Sequence, residues 1–600
     1  MAKIDIKDLW GGLNLQEPST LNDNQFEILS NFNYDADGRL ITRRGVANFG
    51  NPVPSNKPQT SYFFYKNSRT NERTALISSW TAIYKYTEST QDWSSIKTWL
   101  TEFEADGTTR TRWSFAVLLE KIYMCNWVDC YAEYDPATDT YTELWVSSVW
   151  ACTFTNATDL VNLATHWLSD WNSVKFTSSW TLPAEITSGR YYYVVNANTN
   201  DFQISLTPNG TPIDFTDDGT WTHTCFKTIQ PRVRYLSFLA DSIYGSWYDQ
   251  TPHTLYVTTA TDWTDLTASD IYIGWETDGR INGQEELQES VLVYKDKKVF
   301  NVAWDLSEAK PLDAENGGYW ERAIRRVWNS LVYFNDRWFN TLKAKSGITG
   351  TSAIQDEPLS DDVRALTALV TPKEYNATIW TYLLPLTNYY GSFETQWWWT
   401  PDTTLVYSTL QKAWSRHLYP AHYDFGTYED DDGLIHYIMT SATSNQVFEM
   451  ETGFQDLSSP INTELLTKRF DLWEALLNKT HTAVDIQGLK SEWGNIEVDI
   501  LVDWEEVWGW TITDDYITST SSVLTIWTSP IWSYTVWGWE VSTNEIDLYK
   551  YFIRFPLYEV WSNIQIKITS EDIWLVYTLD KLTLHLDKED VDLFSYDNIG

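Results

Sequence analysis

Short apolar runs, four to six residues long and rich in aromatic and β-branched types, recur along most of the chain. Between residues 55 and 155 they are SYFFY (61–65), TALIS (74–78), AIYKY (82–86), SFAVLL (114–119), KIYMC (121–125), CYAEY (130–134) and TYTEL (140–144). Asp, Asn, Ser, Thr or Trp separates each run from the next. Runs of this length between turn formers predict strands joined as hairpins. The pattern resumes after residue 227 with VRYLSFL, TLYVTT, SVLVYKDKKVFNVAW, NSLVYFNDRWFNTL, ATIWTYLLP, TLVYSTLQKAW, LIHYIMT and NQVFEM. Consecutive hairpins predict four-stranded sheets set radially, a β-propeller with blades of roughly 40–50 residues. An array of β-sandwiches is the competing architecture, and strand counting leaves the number of blades open.

Three segments depart from this pattern. In Thr20 to Tyr34, Phe26, Leu29 and Phe32 lie near helical spacing behind Asn22 or Asp23 as N-cap, which predicts a short helix. A turn at Asp35-Ala36-Asp37-Gly38 and a strand-like RLITRRG follow. Residues 156–226 form a self-contained interruption. From 461 onward longer alternating runs (AVDIQG, IEVDILVDW, YFIRFPLYE, IQIKITS, KLTLHLD) read as a β-sandwich or jelly-roll, with a second helix near 461–478. The expected fold is all-β. It comprises a leader with a short helix (1–50), propeller blades (51–155), an inserted small β-module (156–226), further blades (227–460) and a C-terminal β-sandwich (461–600).

Six hundred residues exceed one ordinary core, and 43% apolar residues supply ample material for burial. No stretch approaches the roughly 18–20 apolar residues of a membrane helix. The opening MAKIDIKDLW lacks the apolar core and cleavage site of a secretory signal. Four cysteines (Cys125, Cys130, Cys152, Cys225) are too few for a disulfide framework. In CNWVDC, Cys125 and Cys130 have no zinc partners nearby and read as free thiols on neighbouring strands. A net charge of −39 opposes tight nucleic-acid binding, which requires cations to displace phosphate counterions. It suits solubility in a crowded assembly, or a channel wall that repels a passing phosphate backbone.

Tryptophan changes the picture. The chain holds 35 tryptophans and 26 glycines, the latter about 4% of residues against roughly 7% ordinarily. Several tryptophans occupy turn positions where φ > 0 is needed and glycine is the residue without steric cost. Trp127 lies between KIYMC and CYAEY, Trp338 between LVYF and FNTL, and Trp80 just before AIYKY. We read many of them as UGA codons of a genome in which UGA encodes glycine. Trp93, Trp113 and Trp414 stand in good strand contexts and read as genuine. A truly Trp-rich surface for stacking on sugars is the rival explanation.

Two passages resemble known proteins. GGLNLQEPSTLNDNQFEILSNFNYDADGRLITRRG resembles the start of many phage virion proteins, where a segment N-x-x-x-D-x-x-G-x-L-x-x-R-x-G follows a Gly-containing opening. Asn31, Asp35, Gly38, Leu40, Arg43 and Gly45 fit that form. The order of parts is similar to the tail nozzle (tail tubular protein B) and tail-stabilisation proteins of short-tailed phages. Residues 164–224 resemble a small β-module recurrent in phage structural proteins, matching at His166, Leu168, Val174, Phe176, Leu182, Pro183, Tyr192, Tyr193, Val194, Phe202, Ser205, Gly219 and Thr224. Trp167 and Trp171 stand where that module carries glycine, and Trp180 and Trp221 where glycine would be expected. Together the passages cover about 95 of the 600 residues.

The resemblance implies a non-enzymatic virion component at the head–tail connector or tail, assembled in the host cytoplasm. Its implied partners are copies of itself in a ring, for instance a hexamer, and portal, adaptor or other tail proteins. Viral DNA would pass through the channel without specific binding, and no membrane is involved. The alternative is a carbohydrate-binding or glycan-cleaving propeller at a tail tip.

No catalytic, cofactor or metal residue is assigned. Asn33-Tyr-Asp35-Ala-Asp37-Gly38 resembles half a calcium loop, but its twelfth position is Arg44, so an Asx-type turn is expected. Glu429 to Gly433, EDDDG, reads as a solvated hairpin rather than a cation site. His166 and His223 read as structural positions of the module. Glycoside hydrolysis needs a set pair of carboxylates, and 82 acidic residues favour none. P-loop, GxGxxG, GxSxG and HExxH motifs are absent from the sequence. The pairs Arg43-Arg44 and Arg325-Arg326 are too sparse for a nucleic-acid patch and suit subunit contacts or solvated faces.

Overall fold

The computed structural model describes residues 2–587 except for connections, of which 103–110, 345–353, 368–378, 394–402, 471–478, 514–523 and 528–544 are the longest. The statements below concern the described residues.

Seven four-stranded antiparallel sheets recur along the chain, and in six of them each strand pairs with the one before it as a meander. Blade 1 runs from Ser61–Lys66 to Asp92–Lys97 and blade 2 from Ser114–Leu118 to Thr140–Glu143. Blades 3, 4 and 5 begin at Tyr235–Leu239, Ile281–Leu287 and Arg325–Val327. Blade 6 begins at Ile379–Leu383 and blade 7 at His422–Glu429. First strands of neighbouring blades lie side by side, and blade 7 closes on blade 1. The molecule contains a seven-bladed β-propeller.

Sheets twist, so adjacent blades meet on apolar faces. Leu76 and Ile83 of blade 1 share a core with Ile122 and Tyr134 of blade 2. Tyr294 of blade 4 packs on Tyr333 of blade 5, ring centroids 5.3 Å apart. Tyr86 of blade 1 meets Tyr428 of blade 7 edge-on at 5.3 Å. The ring is sealed by the leader. Blade 7 supplies three of its strands, and Val46–Asn48 pairs with Val447–Met450 as the fourth. An open sheet edge is thereby covered by a strand some 400 residues distant in sequence.

Blade 6 extends outward. Its last strand, Ala413–His417, pairs parallel with Phe26–Ser30, and the sheet continues through Thr463–Thr467, Ile564–Ser570, Ile496–Val502 and Glu505–Ile512. A six-stranded sheet covers this extension. It contains Ala2–Ile6, Lys581–Asp587, Lys479–Ser491 and Glu545–Pro556. Val484, Ile486, Ile553 and Leu584 of that sheet meet Val498, Ile500, Ile566 and Ile568, forming the core of a C-terminal β-sandwich. Between blades 2 and 3 the chain forms a closed six-stranded barrel from Val149–Thr155 to His223–Lys227.

The expected leader helix is not found. Phe26–Ser30 and Phe32–Tyr34 are strands, separated by Asn31 at φ 63°. That left-handed residue ends any helix, and pairing with Thr463–Thr467 outweighs the local apolar spacing. The second expected helix is likewise replaced at its start by the strand Thr463–Thr467; residues 471–478 lie outside the described ones. No helix is long and apolar enough to cross a membrane.

Four tryptophans have left-handed backbones: Trp80 (φ 48°), Trp99 (63°), Trp127 (57°) and Trp167 (54°). That region is uncommon for any non-glycine residue and an outlier for a bulky one. Trp80 opens the two-residue turn between Arg73–Ser79 and Ala82–Thr87. Trp93, Trp113 and Trp414, by contrast, are buried in inter-blade cores. Trp338 starts a strand opposite Asn335, Trp180 is exposed at a bend, and Trp171 and Trp221 lie outside the described residues.

Candidate functional site

The first strands of the blades surround a central cavity of about 440 Å³. Its collar is a relay of side-chain acceptors, each taking an N–H from the next blade. Asp424 Oδ2 of blade 7 accepts from Tyr62 N at 2.9 Å. Ser61 Oγ accepts from Trp113 N at 2.9 Å, and Ser114 Oγ from Leu236 N at 3.0 Å. Gln284 of blade 4 then donates to Ser237 Oγ and Tyr244 O of blade 3. The inner edges of a propeller leave backbone donors unpaired, and these contacts satisfy them without another strand.

The wall is two-sided. Phe63 stacks on Phe115 at 4.8 Å, with Phe238 beyond, on blades 1 to 3. Glu285, Glu286 and Arg325 line blades 4 and 5. Burial pushes the Glu285 carboxyl up, against the pull of the Arg325 guanidinium. Glu286 pairs with Arg326 at 2.9 Å. Arg325-Arg326 thus neutralise channel carboxylates. A space of this size suits a small molecule, whereas the major groove alone of a DNA duplex is about 12 Å wide.

The leader motif forms the second polar centre. Arg43 is buried and its guanidinium stacks on Tyr419 at 4.4 Å. It donates to Asn31 Oδ1 (2.8 Å), Arg44 O (2.9 Å), Leu418 O (2.7 Å) and both oxygens of Asp456 (2.9 and 2.5 Å). Asn31 Oδ1 also accepts from Leu418 N, and Asn31 Nδ2 donates to Asn462 O. Asp35 caps its turn, accepting from Arg39 N and Nε at 2.9 and 2.6 Å, while Gly38 adopts φ 80°. Asp35 is occupied by Arg39, and the turn closes through a backbone bond from Gly38 N to Asp35 O at 3.0 Å rather than through the expected Asx-type contact; Asp37 lies outside the described residues. Leu40 is fully buried, and a Cβ on Gly45 would stand 2.0 Å from Gln455 O. Four of the six motif positions, Asn31, Leu40, Arg43 and Gly45, therefore tie the leader to blades 6 and 7 and to the sandwich, whereas Asp35 and Gly38 shape the turn within the leader.

Beside it, Tyr390 and Tyr419 both donate to Glu451 Oε1, at 3.2 and 3.1 Å. Burial raises the Glu451 carboxyl, and Arg43 and Arg44 oppose that rise. His417 bonds Phe32 O through Nε2 at 2.9 Å. Burial, then Arg43, push its pKa down to about 3, so it is neutral.

The inserted barrel is moored to the propeller. Glu143 of blade 2 binds Lys97 of blade 1 at 2.5 Å and Lys175 of the barrel at 2.6 Å. Burial raises the Glu143 carboxyl, but the two ammonium groups overcome this and leave its pKa at about 2. Tyr193 donates to Val128 O at 2.6 Å and lies under the Arg232 guanidinium at 4.2 Å. Within the barrel, Leu168, Val174, Phe176, Tyr192, Val194 and Phe202 form the core. His166 accepts from Leu168 N and packs on Phe202; His223 packs on Phe154. The two histidines thus serve different contacts. Cys125, Cys152 and Cys225 are buried free thiols, while Cys130 lies outside the described residues.

In the EDDDG segment, Asp430 Oδ1 caps the turn at Asp432 N and Leu434 N. Glu429 pairs with Lys66, and Asp431 with Arg73. His436 joins Asp430 (3.1 Å) to Glu449 (2.6 Å). No group of three or more His, Cys, Asp or Glu is placed to hold a metal among the described residues. Sequence reasoning missed Asp424, Glu143 and Glu285. The one available signal was the serine opening both SYFFY and SFAVLL.

No family model and no curated relative matches the chain. Among solved structures it is similar to the computationally designed Ika8 protein (10% identity, TM-score 0.31, 67% of this chain and 100% of that one). It is also similar to YCF48 bound to D1 peptide (6%, 0.32, 67% and 94%) and to the N-terminal domain of Nup159 (12%, 0.27, 49% and 84%).

Proposed function

We propose that this chain is a structural, non-enzymatic component of a phage virion, at the head–tail connector or tail. It acts as one copy of a ring through which DNA passes, contacting portal, adaptor or other tail proteins. The observation that carries this reading is the leader. Its motif resembles the start of phage virion proteins, and its Asn31, Arg43 and Gly45 fix the leader at the junction between propeller and sandwich. A part that bears load between neighbours needs such joints. The DNA path lies between copies, because the cavity within one propeller is too small for a duplex. Native mass measurement and negative-stain imaging of the full chain test the reading. Rings of several copies support it; a single copy at every concentration overturns it.

Trp80, Trp99, Trp127 and Trp167 stand where the natural polypeptide has glycine, encoded by UGA. Their left-handed backbones support this, and so do the module positions at which glycine is expected. Genomic UGG codons at these positions would overturn it.

The exposed indoles of Trp99, Trp167, Trp180 and Trp275 favour a second reading, a glycan-binding or glycan-cleaving propeller. Glycine at 99 and 167 removes half of that surface. Sugar release from host polysaccharide, lost on changing one carboxylate pair, would establish it.

A further inference from the structure

We infer that the central cavity of the propeller binds a small zwitterion with an apolar body, of the class of free amino acids with a large apolar side chain. The inference goes beyond the structural reading and stands whether or not copies assemble into a ring.

Ring geometry sets two unlike walls against each other. The first strands of the seven blades follow one another around the cavity, so blade 1 stands opposite blades 4 and 5. Phe63 of blade 1, Phe115 of blade 2 and Phe238 of blade 3 make one side. Glu285 of blade 4 and Arg325 of blade 5 make the other, on adjacent first strands. The volume of about 440 Å³ falls within the range of small-molecule sites, which begins at about 300 Å³. Trp113 is the one tryptophan among the described lining residues and is read as genuine, so the walls do not depend on the recoding.

The polar wall carries charges of both signs that are not spent on each other. Glu286 is closed off by Arg326 at 2.9 Å. Asp424 accepts through its two oxygens from the backbone N–H groups of Tyr62 and Phe425. Among the described residues, Glu285 accepts from the Glu286 backbone and feels Arg325 as a nearby charge, with no ion pair between them. Arg325 donates from Nη1 to Ile324 O at 3.2 Å. A carboxylate accepts up to about four hydrogen bonds and a guanidinium donates about five, so both keep capacity for a ligand.

Chemistry then selects the occupant. The charges of Glu285 and Arg325 sum to zero. A net-neutral ligand with separated charges satisfies both, whereas a plain cation or anion meets one and is repelled by the other. An ammonium group beside Glu285 supplies the counter-charge for a carboxyl that burial pushes up. A carboxylate takes the forked N–H groups of Arg325. The rest of the ligand lies against the phenyl rings. Phe63 and Phe115 stack on each other at 4.8 Å, and this side offers no side-chain hydrogen-bonding group. A sugar, with hydroxyls around its rim, matches it poorly.

Calorimetric titration of the full chain with L-phenylalanine, L-leucine, phenethylamine, 3-phenylpropanoate and D-glucose tests the inference, in wild type, Glu285→Gln and Arg325→Gln. We expect L-phenylalanine to bind at least tenfold more tightly than either of its single-charge analogues. Glu285→Gln should weaken L-phenylalanine at least tenfold without weakening 3-phenylpropanoate, and Arg325→Gln should weaken it likewise without weakening phenethylamine. Failure of both amino acids to bind at millimolar concentration would overturn the inference. So would phenethylamine or D-glucose binding as tightly as L-phenylalanine, or affinities that both variants leave unchanged. If a variant melts below wild type, the ligand comparison on the wild type decides alone.

Discussion

Arg43 and Asp456 lie 413 residues apart and meet through two N–H···O bonds of 2.9 and 2.5 Å. A guanidinium matches a carboxylate in this forked geometry, and a lysine ammonium does not. The pair fixes the leader against the turn that follows blade 7, beside the strand that closes the propeller.

Removing Arg43 should therefore leave Asp456 and several backbone acceptors without their donor. We expect Arg43→Ala to cost about 3–5 kcal/mol, and Arg43→Lys to recover only a small part. Denaturant unfolding of both variants measures this. A loss below about 1 kcal/mol for Arg43→Ala would contradict the latch.

Glu143 gives the mooring an acid limit. Its pKa is lowered from 4.5 to about 2, so its contribution to stability is present above pH 4.5 and is lost as pH falls towards 2. The change is worth roughly 3 kcal/mol. Glu143→Gln should flatten this part of the pH–stability curve, read by melting between pH 2 and 6. Identical curves for variant and wild type would contradict it.

His436 sets an opposite trend. Burial lowers its pKa, but Glu449 and Asp430 more than reverse this, so the folded value is raised. Its stabilisation is complete below pH 6.5 and is lost as pH rises through the folded pKa. NMR titration of the imidazole should give a midpoint above 6.5, and Glu449→Gln should lower that midpoint. A wild-type midpoint below 6.5 would contradict the pairing.

The tryptophans should divide into two groups. Trp99→Gly and Trp167→Gly relieve a left-handed backbone and remove exposed rings, so each should stabilise by about 1 kcal/mol. Trp113→Gly and Trp414→Gly empty inter-blade cores and should cost about 3–5 kcal/mol or more. Melting temperatures of the four variants check both directions.

Much of the propeller was legible in the chain. SYFFY, TALIS, AIYKY and KIYMC became strands within a residue of the expected limits, because each run is short, apolar and bounded by turn formers. The number of blades was not, since blade 7 borrows Val46–Asn48 and blade 6 continues into the sandwich. The leader misled because Phe26, Leu29 and Phe32 fit a helix as well as they fit strands broken at Asn31. Arg43 was visible as part of a motif, but its partners Asp456 and Tyr419 lie far along the chain. Glu143 carried no local signal: its partners sit in blade 1 and in the barrel.

The central claim is that this chain is a load-bearing ring component of a virion. Cryo-electron microscopy of purified particles tests it most directly, with peptide mass spectrometry to show that the chain is present. Propeller-and-sandwich density repeated around the axis at the head–tail junction or tail is the expected result. Particles that lack the chain would contradict it, as would particles carrying it as an isolated copy off the axis.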